Sequence, residues 1–147
     1  MVDILHRVGV LAPAPRNVFD ALTTVEGLAG WWTEDTTGSA REGDKLVLRF
    51  PAGGFDLEVL ERRPDERVVW RVTDGPAEWV GTRIEWDLRQ EGEYTVVLFA
   101  HRGWAEPLEF MHHCSTKWAT FLMSLKQLVE TGAGAPAPAD VQISDWH

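Results

Sequence analysis

The segment from Glu106 to Thr131, EPLEFMHHCSTKWATFLMSLKQLVET, is the one stretch of this chain long and periodic enough to be a principal helix. At about 100° per residue, Met111, Cys114, Trp118, Phe121, Leu122, Leu125, Leu128 and Val129 fall on one side, while Glu109, His113, Thr116, Thr120 and Gln127 fall opposite. Pro107 suits a first helical turn, where its missing N–H is no loss, and Glu106 and Glu109 complement the positive end of the helix dipole. Gly132 supplies a left-handed stop. A rod of this length, on the order of 38 Å, crosses a small domain from end to end and needs an apolar surface beneath it.

The residues before it supply that surface as short strands. Ile4, His6, Val8 and Val10 alternate with Asp3, Arg7 and Gly9, which predicts a strand over 3–11 with one buried face. Pro15 then opens a short helix carrying Val18, Phe19 and Leu22, and Thr24 caps a second over 25–31 that ends on Trp31 and Trp32. The polar stretch 33–45 reads as a loop. After it, Lys45–Phe50, Phe55–Arg63, Arg67–Val72, Trp79–Arg89 and Tyr94–His101 are the remaining strand candidates, separated by Pro-, Gly- and Asp-rich turns short enough to make neighbours antiparallel. In the fourth of these, Thr82, Ile84, Trp86 and Leu88 share one face, with Glu85 and Asp87 on the solvent parity. The layout is α+β: a six-stranded antiparallel sheet, two short helices after the first strand, and a long C-terminal helix lying on the sheet.

Composition limits the function classes. A chain of 147 residues, 44% hydrophobic and 25% charged, is one ordinary domain, here residues 1–132 followed by a tail at 133–147. A net charge of −9 without clustered Lys or Arg argues against a nucleic-acid surface. Residues 1–30 lack a signal-peptide pattern and no run is apolar enough for membrane insertion, so a soluble, cytoplasmic protein is expected. The single cysteine, Cys114, leaves no internal disulfide, and its place on the apolar helix face suits a small hydrophobe. The tail, GAGAPAPADVQISDWH, is expected to be extended or mobile over 133–139. Its patch of Val141, Ile143 and Trp146 is expected to dock back on the domain or on a second copy, the latter making a homodimer.

Particular residues then bring a family into view. Ala12-Pro13-Ala14-Pro15 is followed by Val18-Phe19 and Ala21-Leu22-Thr23, then by Gly27-Leu28 and Trp31-Trp32-Thr33. Further along come Glu78-Trp79-Val80-Gly81-Thr82, His101-Arg102-Gly103-Trp104, Lys117-Trp118 and Ser124-Leu125-Lys126. Across residues 3–131 the chain resembles the START-like, helix-grip (SRPBCC) superfamily, and within it the group named for the activator of the ninety-kilodalton heat-shock chaperone's ATPase. The resemblance implies a curved sheet gripping the long helix, with a cavity between them of the kind the superfamily uses for lipids, hormones, polyketides and other apolar molecules. A chaperone partner ranks last, because the eukaryotic activator contacts the chaperone through an additional domain for which this chain has no room.

The chain's own residues are compatible with an apolar small molecule as partner. Eight tryptophans are many for one domain, and sites for flat or greasy ligands are lined mainly by aromatic and aliphatic groups. The candidate lining residues are Trp32, Phe50, Phe55, Trp70, Trp86, His101, Met111, Cys114 and Trp118, and the competing expectation for any one ring is plain core packing. His101 shares strand parity with Thr95, Val97 and Phe99, which makes it the best catalytic acid or base candidate, against the alternative of a hydrogen-bonded core histidine. A zinc site built from His6, His101, His112 and Cys114 is disfavoured by spacing: adjacent His112 and His113 diverge by about 100° on a helix, and no His-x-x-x-His or Cys-x-x-Cys pair occurs. His113 is expected to make a surface pair with Glu109. Dinucleotide, phosphate-loop and serine-elbow motifs are missing, so no cofactor is expected. Ligand binding is therefore the leading expectation, with catalysis in the same cavity through His101 as its rival.

Overall fold

The computed structural model describes all 147 residues. The chain runs β1 (Val2–Leu11), α1 (Arg16–Leu22), α2 (Val25–Trp31), β2 (Asp35–Gly38), β3 (Lys45–Phe50), β4 (Gly53–Arg63), β5 (Arg67–Asp74), β6 (Arg83–Glu91), β7 (Tyr94–Trp104) and α3 (Glu109–Thr131). Its strands form one antiparallel sheet in the order β1-β7-β6-β5-β4-β3-β2. The long β7 lies between β1 and β6, so the first and last strands close the sheet at the side where α3 also packs on β1. This is the α+β helix-grip architecture, with seven strands where the sequence predicts six.

The additional strand is β2, inside the stretch read as a loop. Only Thr36 of its four residues is buried, so no apolar alternation marks it. It is held instead by its backbone ladder to β3 and by hydroxyls: Thr33 Oγ1 donates to the Arg49 carbonyl at 2.7 Å and Thr36 Oγ1 to the Thr33 carbonyl at 2.7 Å. A second departure concerns Trp79. It was expected to begin a strand, but residues 76–82 form a turn closed by hydrogen bonds from the Trp79 N–H to the Pro76 carbonyl and from the Gly81 N–H to the Val72 carbonyl, and β6 starts only at Arg83. Pro76 and Gly81, the latter at φ +87°, punctuate the segment at both ends.

The helix α3 begins at Glu109, with Leu108 as its cap, so Pro107 lies just outside the first turn. Its end agrees with expectation, Gly132 adopting φ 91° while its N–H bonds the Leu128 carbonyl. Cys114, Trp118, Phe121, Leu122 and Leu125 are buried against the concave face of the sheet. Ser124 joins them, donating to the Trp31 carbonyl at 2.8 Å and thereby tying α3 to the end of α2.

The convex face carries charge, and one carboxylate there differs from its expected solvent position. Glu85 is buried at 9% exposure because Arg67, Arg83 and Arg102 all converge on it. Arg67 also clasps Asp87 through 2.7 Å contacts to both carboxylate oxygens, and Arg102 reaches Asp3 at 2.9 Å. Arginines networked in this way shield a carboxylate that alone would be driven to water.

Candidate functional site

The gap between α3 and the sheet is closed over most of its length by tryptophan. Trp31 and Trp32, brought under α3 by the end of α2, stack nearly parallel with ring centres 5.1 Å apart. Trp32 in turn stacks on Trp70 at 5.6 Å. Trp86 meets Trp31, Trp70 and Phe99 edge to face at 4.9–5.7 Å, the offset and T-shaped geometries that aromatic quadrupoles favour. Trp118 comes down from α3 onto Phe99, its ring centre 4.5 Å away.

His101 sits inside this cluster, completely buried. The Trp118 indole N–H donates to its Nδ1 at 3.1 Å, which places the imidazole proton on Nε2. That proton is directed at Thr82 Oγ1, 2.8 Å away, and the Thr82 hydroxyl donates onward to the Trp79 carbonyl. Both ring nitrogens are therefore committed to protein. Burial, only weakly opposed by the charge of Asp3, pushes the His101 pKa down to about 3. Hydrogen-bonded through both ring nitrogens and outside the lining of the cleft described below, His101 brackets α3, β7 and the 76–82 turn.

An opening remains at one end, where the N-terminal half of α3 faces the β3–β4 hairpin. Here a cleft of about 450 Å³ is lined by Trp32, Phe50, Phe55, Trp79, Trp118 and Phe121 on its apolar walls. Phe55 reaches it because two glycines leave room. A Cβ on Gly54 would lie 2.1 Å from the Leu48 carbonyl oxygen, and one on Gly75, which adopts φ +141°, would lie 2.8 Å from Phe55 Cβ. Trp79 stacks on Trp118 at 6.0 Å and 12°, so the 76–82 turn builds a wall of the cleft as well as holding His101.

Of the residues singled out from sequence, Trp32, Phe50, Phe55, Cys114 and Trp118 line this cleft. Trp70, Trp86 and His101 are sealed behind it in the core, and Met111 packs half-buried against the core outside the cleft. Burial pushes the Cys114 thiol up to about 12, which makes it an apolar wall atom and not a nucleophile. The residues considered for zinc do not converge: His6 Nε2 lies 3.2 Å from the Ser115 carbonyl, His101 is committed as above, and His112 is exposed.

The polar rim comes from residues outside the candidate set read from sequence. Lys117 and His113 project from α3, and Asp140, Trp146 and His147 come from the tail. That tail is anchored at Ala137: the Ala137 N–H donates to the Trp32 carbonyl and the Glu34 N–H to the Ala137 carbonyl, with Ala137 itself buried. Ser144 Oγ lies 3.0 Å from His113 Nδ1, and the Trp146 ring rests 5.5 Å from that of His113. His113 is thus partnered by the tail and by Phe110, and not by Glu109 as expected, and burial together with the Lys117 charge lowers its pKa. Of the expected apolar anchors, Trp146 makes this contact while Val141 stays 60% exposed. The lysine in Lys117-Trp118 and the acid in Ala139-Asp140 were visible in sequence, but only the folded tail brings them together.

No helix is long and apolar enough to cross a membrane. Comparison with solved structures places the fold among known proteins. The chain is 43% identical to the protein whose structure is described as the Aha1 dimer from Colwellia psychrerythraea, over 91% of this chain and 100% of that one, with a TM-score of 0.84. A protein from Staphylococcus saprophyticus (18% identity, 92% and 98% coverage, TM-score 0.75) and CalU16 from Micromonospora echinospora (21%, 88% and 77%, TM-score 0.73) share the fold. No protein with a curated description gives a significant match. Residues 12–130 match the profile of the family described as "Activator of Hsp90 ATPase homolog 1-like protein", and together with the 43% identity over a whole relative this shows that the chain belongs to that family.

Proposed function

We propose that this protein binds an apolar small molecule in the cleft between the N-terminal half of α3 and the β3–β4 hairpin. The observation that carries the reading is the cleft itself: about 450 Å³ with eight Phe and Trp rings in its lining, six on the walls and Phe110 and Trp146 toward the rim. Interiors close-pack to the density of organic crystals, and Trp31, Trp70 and Trp86 behind the cleft do so fully, with none of the three rings exposed. Rings that fill the gap in one half of the helix–sheet interface and stop short in the other leave an apolar surface suited to a flat guest. Carriage or sensing is favoured over turnover because His101, the residue best placed by strand parity for proton transfer, is sealed and doubly hydrogen-bonded. The Cys114 thiol offers no thiolate at neutral pH.

Calorimetric titration with 1-naphthaleneacetamide, an uncharged molecule small enough for the cleft, tests the reading. Saturable one-to-one binding with a Kd on the order of 10–100 µM and a negative heat-capacity change is expected, the affinity following from ordinary ligand efficiency for a molecule of this size. Phe50→Ala, at the half-exposed outer wall, is expected to weaken binding by about fivefold through lost apolar contact. Absence of saturable heat across a series from naphthalene to a steroid would remove the proposal.

A further inference from the structure

We infer that the ligand of this cleft is an apolar body bearing an anionic group, and that this group takes the place of Asp140 on Lys117. The inference rests on the binding reading above and adds the chemical class of the ligand. Lys117 is the only lysine or arginine among the residues lining the cleft, with its side chain 15% exposed and its ammonium 5.3 Å from the Phe121 ring centre. An ammonium in so apolar a setting needs anionic or carbonyl oxygen to replace its lost water. All of its partners come from one segment: Asp140 Oδ2 at 2.5 Å, the Val141 carbonyl at 2.6 Å and a main-chain oxygen of His147 at 3.3 Å.

Asp140 is the only carboxylate side chain lining the cleft and it is a half-used one. Its side chain is 3% exposed, yet Oδ1 has no hydrogen-bond partner, so one buried acceptor is left bare. Leaving such an atom unpaired costs free energy that a better-placed carboxylate would not incur. The segment that carries it is also lightly held. Beyond Ala137 the tail's backbone hydrogen bonds are internal, from the Ala139 N–H to Pro136, the Ile143 N–H to His147 and the His147 N–H to Ser144. Its attachment to the body there rests on Lys117, on the His113–Ser144 contact and on the Trp146 ring against Phe110 and His113. Asp140 thus holds the position of a ligand carboxylate, and an acid that pairs both oxygens can displace it. The net charge of −9 does not repel such a ligand at close range, since at physiological salt charges farther than about 8 Å are screened.

The test compares 1-naphthaleneacetic acid with 1-naphthaleneacetamide, molecules of matched shape differing in one charge, by calorimetry at pH 7 on the full chain. The wild type is expected to bind the acid about tenfold more tightly than the amide. Lys117→Met is expected to bring the acid-to-amide ratio to about one, with Lys117→Arg retaining a preference for the acid. Asp140→Asn is expected to raise the ratio a further fivefold or more, because the built-in competitor has lost its charge. Reading a ratio within each variant cancels any general effect of loosening the tail on the cleft wall. Equal binding of acid and amide by the wild type, a preference for the amide, or an unchanged ratio in Asp140→Asn would overturn the inference while leaving apolar binding intact. Binding of neither compound would remove both.

Discussion

Acidification from pH 7 to pH 4.5 is expected to weaken the fold by about 3 kcal/mol through His101 alone, two pKa units at about 1.4 kcal/mol each. The folded-state pKa of this histidine lies at about 3, below the ordinary value of 6.5, because burial disfavours the imidazolium. Between those two values the unfolded chain binds a proton that the folded chain does not. The stability is therefore fully present above about pH 6.5 and is lost as pH falls toward 3, reaching a total on the order of 4 kcal/mol. Carboxylates held below their usual range, such as Asp140, where burial is outweighed by hydrogen bonding and charge from Lys117, begin to contribute only as pH falls toward their ordinary values of about 4 to 4.5. The window from 6.5 to 4.5 isolates histidine. Urea unfolding across it should give a stability slope of nearly one proton more in the wild type than in His101→Gln, whatever the absolute stability of the variant. Parallel slopes in the two proteins would show that His101 is not buried neutral.

The second large effect is expected at Trp86. Truncation to alanine removes a completely buried ring that contacts Trp31, Trp70, Phe99 and Trp118, and a loss of 3–5 kcal/mol is typical for such a change. The indole N–H of Trp86 has no hydrogen-bond partner, so its removal returns part of that cost and the lower end of the range is expected, about 3 kcal/mol. Trp86→Phe keeps most of the ring and discards the unpaired N–H, and should cost less than about 1.5 kcal/mol. Because Trp86 lies behind the cleft and not on it, Trp86→Phe should bind 1-naphthaleneacetamide as the wild type does. A threefold or greater loss of affinity in that variant would mean that the guest enters the core.

The contrast between Trp86 and Trp32 marks how far the sequence reading reaches. Helical periodicity identified the buried face of α3, and period-two alternation identified the inner faces of β1, β6 and β7, because apolar burial on one side leaves a regular imprint. Alternation assigns a residue to a face but says nothing about where along the helix a ring will lie. Trp70 and Trp86 were therefore indistinguishable from Trp32 and Trp118, although the first two are enclosed and the others reach the cleft. Strand β2 left no imprint since its support comes from threonine hydroxyls and backbone bonds. Trp79 was misplaced because a strand-like composition concealed a turn, and only Pro76 and Gly81 hinted at it. Glu85 obeyed strand parity yet is buried, since Arg67 and Arg102 from the neighbouring strands join Arg83 of its own strand in gathering over it. The Lys117–Asp140 pair spans 23 residues and depends on the tail turning back at Ala137, for which no local pattern exists.

The most direct measurement is a two-dimensional proton–nitrogen NMR spectrum of the eight indole N–H groups, assigned by single Trp→Phe substitutions and followed during titration with 1-naphthaleneacetamide. Ring currents from a bound naphthalene act over a few ångströms, so the indoles on the cleft should move and those behind it should not. Saturating shifts at Trp32, Trp79 and Trp118 on the walls and at Trp146 on the rim, with Trp70 and Trp86 unmoved, are the expected result. Shifts centred on Trp70 and Trp86, or none at the four cleft indoles while the compound binds elsewhere, would contradict a site at the open end of the helix–sheet interface.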